Sequence, residues 1–198
     1  MSFFKKIFKG KKKETPEEIN SEHENLPLDE VFVQNFIKNK GKFLYSATLE
    51  EVAENLSLIL SENNWSEISC NDSDLIKLIT AIPVKISKKL SNKAPVFISC
   101  EHLIAKDGSI LLSSNQLKDM KISNLSDDFI VYATASQIVK NKGEALTGIN
   151  SRYKGNIPSN ISAISKYSVE LEEHEENDFM IYGNTNSKNL YLLLFEDL

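Results

Sequence analysis

Apolar positions along the 198-residue chain recur in two rhythms. Leu49, Val52, Ala53, Leu56, Ile59 and Leu60 follow the i, i+3, i+4 spacing of a helix with one buried face. Thr48-Leu49-Glu50-Glu51 opens that stretch as a capping box, and Asn63-Asn64 closes it. Val31, Phe32, Asn35 and Phe36 give a shorter helix over 29–40, with Asp29 as N-cap and Gly41 as stop. Asp72 or Ser73 caps a third helix through about Thr80. A fourth is predicted from Ser136, carrying Ile138, Val139, Ala145, Leu146 and Ile149. Between these lie a short strand over 42–46 with Phe43, Leu44 and Tyr45, a strand-like stretch over 66–70, and the apolar runs of 95–99, 110–112, 129–133 and 191–195. Runs without alternation are expected of strands buried on both faces, hence an α/β fold with a sheet covered on either side. Lys106-Asp107-Gly108-Ser109 lies between two apolar segments and reads as a hairpin turn in which Gly108 supplies a positive φ. The stretch 81–94 follows neither rhythm.

Charge divides the chain differently. Residues 1–13 carry six lysines and no acid, and residues 14–30 carry seven acids and no base. Too few apolar groups follow Phe8 to offset ordering entropy, so 1–30 reads as a disordered tail ahead of one domain over 31–198. Phe3, Phe4, Ile7 and Phe8, flanked by Lys5, Lys6 and Lys9, form one apolar face on a helix, which makes residues 1–13 a candidate for peripheral membrane contact. Glu170 to Asp178 holds six acids and reads as a solvated loop; its glutamates are consecutive rather than convergent, so no metal site is expected.

Composition removes several classes. A net charge of −5 argues against nucleic-acid binding. Two cysteines, Cys70 and Cys100, make neither a zinc quartet nor an iron–sulfur set. They read as reduced buried thiols of a cytoplasmic protein. No apolar run approaches the roughly 20 residues of a membrane helix. There is no Walker loop, GxGxxG, Gly-x-Ser-x-Gly or HExxH, and no cofactor is expected.

The candidate chemistry lies at strand ends and loops. Glu101 and His102 follow the 95–99 strand, where an acid and an imidazole are placed for acid–base work; Glu101 is the weak catalytic candidate. Ser136 and Gln137 follow the 129–133 strand, where open α/β sheets gather ligands. Ser113-Ser114-Asn115 has the same position after 110–112. Pro158-Ser159-Asn160-Ile161-Ser162 reads as a helix start whose Ser159, Asn160 and Ser162 present polar groups to an anion. Gly108 and Ser109 complete the ligand-binding candidates. Ser136, Ser159 and Asn160 are read equally well as N-caps. Arg152, the sole arginine, has the planar fork suited to carboxylates.

Four phrases in order carry a resemblance: Ile104-Ala105-Lys106-Asp107-Gly108-Ser109-Ile110, Ser136-Gln137-Ile138-Val139, Pro158-Ser159-Asn160-Ile161-Ser162, and the run from Asn189 to Asp197. Together they resemble the lactate-utilisation LUD domain family, lactate utilisation protein C in particular, over about residues 36–198. The resemblance implies the fold of glucosamine-phosphate deaminases, ribose-phosphate isomerases and coenzyme A transferases: a three-layer α/β/α sandwich on a largely parallel six-stranded sheet. It also implies a cluster-free subunit in lactate or organic-acid use, working beside iron–sulfur partner subunits and binding a small anionic ligand. The alternative is a non-catalytic binding module placed at a partner or membrane by its Lys-rich N-terminus. One departure stands out. Many relatives carry Gly-Pro-Ser-Arg/Lys-Thr-Ala-Asp-Ile-Glu where this chain has Ser165-Lys166-Tyr167-Ser168-Val169-Glu170.

Overall fold

The computed structural model describes residues 26–167 and 188–197. The Lys-rich leader and the acidic block 170–178 lie outside the described residues. In chain order come α1 (Leu28–Lys38), β1 (Lys42–Ser46), α2 (Leu49–Glu62), β2 (Glu67–Ser69), α3 (Ser73–Leu78), β3 (Lys85–Ser87), β4 (Val96–Ser99), β5 (His102–Ile104), β6 (Ser109–Leu112), α4 (Ser114–Leu117), β7 (Asp128–Thr134), β8 (Ile138–Val139), α5 (Lys142–Tyr153), β9 (Ser162–Ile164) and β10 (Asn189–Phe195). Short 3₁₀ turns occupy Ile122–Asn124 and Ala135–Gln137.

Six strands form one sheet in the order β1-β10-β7-β4-β2-β3, every neighbouring pair parallel. Its central strands explain the unbroken apolar runs. In β10, Leu190, Leu192 and Leu194 join one core cluster, while Tyr191 and Leu193 join another on the opposite face. Phe129, Val131 and Ala133 of β7 alternate in the same way with Ile130, as do Val96 and Ile98 of β4 with Phe97. Side chains alternate across a strand, so apolar residues at every position require cover on both sides.

Helices α2 and α3 cover one side through Val52, Leu56, Ile59, Leu60 and Leu75. The other side is covered by α1, through Phe32, Val33 and Phe36, and by a second sheet of order β8-β5-β6-β9. In that small sheet β5–β6 is an antiparallel hairpin, β9 pairs antiparallel with β6, and β8 pairs parallel with β5. Leu103, Ile110, Leu112 and Ile164 face the main sheet, whereas Ile104 and Leu111 face Ala145 and Ile149 of α5. The sheet flanked by helices is the α/β architecture expected, with the small sheet inserted beneath α5.

Several local expectations are corrected. Helix α1 begins at Leu28, with Asp29 inside its first turn rather than capping it. It therefore starts within the 1–30 stretch read as tail. It ends in a left-handed Lys40 (φ 70°), with Gly41 N–H donating to Phe36 O and Lys40 N–H to Ile37 O. Thr48 does cap α2, but Glu51 reaches back to the Ala47 N–H. No helix starts at Ser136. The β-branched pair Ile138-Val139 extends the small sheet beside β5, and α5 starts only at Lys142, capped by Asn141. No helix starts at Pro158 either, because Ser162–Ile164 enters the ladder with β6. Asp72 caps α3, and the unpatterned 81–94 stretch contains the edge strand β3.

Candidate functional site

The β5–β6 hairpin carries polar chemistry at both ends. Glu101 immediately precedes β5, its N–H bonded to Leu111 O across the hairpin. Its side chain is 1% exposed yet remains charged, because donors converge on it from two helices. The Ser113 hydroxyl (2.6 Å), Asn115 Nδ2 (3.0 Å) and Gln116 Nε2 (3.1 Å) donate to Oε1. The Tyr153 hydroxyl donates to Oε2 at 3.0 Å, and Arg152 Nη1 stands 3.7 Å from the same oxygen. Burial by itself would raise the Glu101 carboxyl; the bonds from Ser113, Asn115, Gln116 and Tyr153 outweigh it and hold the group below its ordinary value.

Local structure aims these donors. Ser113 caps α4: its Oγ accepts from Asn115 N–H, while Gln116 Oε1 accepts from Ser113 N–H. The capping box turns the Asn115 and Gln116 amides back toward the strand end where Glu101 lies. Arg152 and Tyr153 come from the last turn of α5, eleven and twelve positions after Asn141. Arg152 is half exposed (49%), so its guanidinium reaches solvent while its charge is held over a buried carboxylate.

His102 lies behind this group. Its Nδ1 is bonded to Gln137 O (3.2 Å), which assigns the proton to Nδ1 and leaves Nε2 as an acceptor. Nε2 is buried and has no hydrogen-bond partner. Gly148 of α5 makes room for it: a Cβ there would stand 3.1 Å from Nε2. Burial is the main cause that pushes His102 below its ordinary value. Cys100 is buried and its thiol is pushed far up by burial and by Glu101; Cys70 is pushed up to about 11, mainly by burial. Neither supplies a thiolate near neutral pH.

The other sequence candidates fall into three places. Ser159 O accepts from Ser114 N–H (2.8 Å), and Ser162 pairs with Leu112, so the exposed bend through Ser159 and Asn160 adjoins the start of α4 and the Glu101 group. Ser136 and Gln137 are engaged within the chain. The Ser136 N–H and hydroxyl both donate to the Asp197 carboxylate, at 2.9 and 2.6 Å. Gln137 Nε2 donates to Cys100 O (2.6 Å), and its Oε1 accepts from Thr134 N–H (2.8 Å). Gly108 and Ser109 lie at the opposite end of the hairpin. Gly108 has φ 65°, and a Cβ there would meet Phe36 N at 2.5 Å; Ser109 is buried and donates to Asp107. Their surroundings account for both as packing and turn residues.

Sequence reasoning singled out Glu101, Arg152 and Ser113–Asn115 separately, and the structure brings them together. Gln116 and Tyr153 as partners of Glu101, and Asp197 as partner of Ser136, went unassigned. The Ser113-x-x-Gln116 pattern is a capping-box signal that points to the first of them. Among the described residues no group of three or more His, Cys, Asp or Glu side chains is arranged to hold a metal ion. No described helix is long and apolar enough to cross a membrane.

The LUD domain family model matches residues 30–194. No curated protein matches the chain. Among solved structures, the crystal structure of a DUF162 family protein from Deinococcus radiodurans overlays with a TM-score of 0.60 and 13% identity, covering 86% of this chain and 99% of that chain. Two of the phrases that carry the family resemblance meet in this fold, since Asp197 of the last binds Ser136 of the second. Tyr167 contributes packing: it is buried against Phe36 (rings 4.6 Å apart), and its hydroxyl meets Gly108 O and Ile164 O.

Proposed function

Since the chain belongs to the LUD domain family, we propose that it is a cluster-free subunit of lactate or related organic-acid use that binds a small carboxylate at Arg152. The observation that carries this reading is the half-exposed Arg152 held over the buried Glu101 carboxylate. A planar guanidinium presents paired N–H donors to a carboxylate, and a partner charge beneath it fixes its position before the ligand arrives. The bend at Ser159 and Asn160 adds polar groups on the neighbouring side.

In this reading Glu101 is a positioning residue. Both its oxygens already accept hydrogen bonds and its side chain is shielded from solvent, so it is poorly placed to meet an incoming electrophile. That argues against the covalent role a glutamate plays in coenzyme A transferases, with which the fold is shared. Oxidation of a hydroxy acid needs an electron acceptor, and iron–sulfur partner subunits supply it in this proposal.

The test is an NMR titration of the full chain with lactate and with pyruvate. Shifts centred on Arg152, Tyr153, Ser159 and Asn160, lost in Arg152→Gln, are expected. Absence of shifts at these residues with either acid defeats the proposal.

A further inference from the structure

The end of the hairpin remote from Glu101 carries a different chemistry. Asn35 Nδ2 donates to Ala105 O and Asn39 Nδ2 to Asp107 O, fastening the end of α1 to the hairpin turn. Lys106 N–H donates to Lys140 O, and Tyr167 N–H to Asn39 O. These contacts gather Lys38, Lys40, Lys106, Lys140, Lys142 and Lys166 from four separate stretches of chain, and all six are exposed. Among the described residues two acids lie with them. Asp107 pairs with Lys142 (3.2 Å), and Glu144 accepts from the Lys140 N–H. The cluster is thus clearly positive, in a chain whose net charge is −5.

We propose that this lysine cluster is a docking surface for an anionic lipid membrane. The charges are ammonium groups on flexible stems, suited to a diffuse negative surface rather than to the bidentate recognition an arginine gives. No arginine belongs to the cluster, since Arg152 lies at the other end of α5. A second element fits the same partner. Residues 1–13 add six lysines with Phe3, Phe4, Ile7 and Phe8, and stable membrane association takes two such weak signals together. Docking there leaves the Arg152 end free: Lys142 and Arg152 are ten positions apart on α5, about 15 Å along its axis.

Co-sedimentation of the full chain with phospholipid vesicles tests this. The protein is expected to pellet with vesicles of phosphatidylcholine containing about one-third phosphatidylserine, to stay in solution with phosphatidylcholine alone, and to be released at high salt. The triple variant K38E/K106E/K140E, and the milder K38Q/K106Q/K140Q should the first fail to fold, are expected to weaken binding by at least about tenfold. Equal sedimentation with neutral and anionic vesicles overturns the proposal. So does a folded lysine variant that binds like the wild type, which would assign membrane contact to the leader alone. Capture by a DNA duplex or an Asp/Glu-rich peptide with no binding to vesicles overturns it as well.

Discussion

The two ends of the β5–β6 hairpin are both dense in polar groups, yet they solve opposite problems. At the Glu101 end, one charge is buried and surrounded by donors from α4 and α5. At the Gly108 end, six like charges face water and the interior is sealed by uncharged contacts, among them the Tyr167 hydroxyl on Gly108 O. A buried carboxylate retains its charge only if nearly every lone pair is satisfied, so that end is rigid by necessity. Exposed lysines cost little in isolation and leave that end free to meet a partner. The hairpin thus separates a pre-organised buried charge from an adaptable surface within one short element.

The contrast breaks most severely at Glu101. Removing the carboxylate strands the Ser113, Asn115 and Gln116 donors around a small void, and it frees Arg152 of its counter-charge. Glu101→Ala is therefore expected to destabilise the fold by on the order of 3 kcal/mol. Urea unfolding would show this as a lower midpoint with little change in slope. Gly108→Ala is expected to come next, at about 2 kcal/mol, because the residue has φ 65° and its Cβ would press on the backbone at Phe36. The two variants also differ in kind. Glu101→Ala should abolish carboxylate binding at Arg152, while Gly108→Ala should leave it intact in the protein that remains folded.

Legibility in sequence followed the range of the interactions. The central strands β4, β7 and β10 were legible because burial on both faces writes itself as an unbroken apolar run. Helix α2 was legible from its own periodicity, and the hairpin from its turn residues. The strands β8 and β9 were not, since two or three residues carry no period and their order comes from pairing with β5 and β6. The same holds for the site. Glu101 drew attention as an acid at a strand end, but the Tyr153 hydroxyl that meets it is 52 positions away. Nothing local marks that pairing. By sequence Ser136 is a contact for a bound anion, and the carboxylate in contact with it is the chain's own Asp197, 61 positions on.

The smallest expected effect concerns His102, and it sharpens the comparison by pH. Burial disfavours the imidazolium most, and Arg152 repels it. The Gln137 carbonyl, Glu101 and Glu144 act in the opposite direction but do not prevail, so the folded protein binds this proton more weakly than the ordinary 6.5. The unfolded chain therefore takes up a proton first as pH falls, and stability declines through 6.5 until the folded pKa is passed. One proton of difference limits the slope to about 1.4 kcal/mol per pH unit. Glu101 acts in a separate window. Its folded value lies below the ordinary 4.5, so its contribution is complete above 4.5 and is lost as pH falls through the folded value. His102→Asn distinguishes the two, since the Asn amide keeps a donor for Gln137 O and carries no titrating nitrogen. Urea midpoints measured from about pH 7.5 to about 3.5 should decline through 6.5 in the wild type and run nearly flat there in His102→Asn, with the loss below 4.5 unchanged in both. A decline of equal slope in the variant would mean that the folded protein does not hold His102 below its ordinary value, so that the imidazolium meets an acceptor and Nε2 is not the unpaired nitrogen facing Gly148.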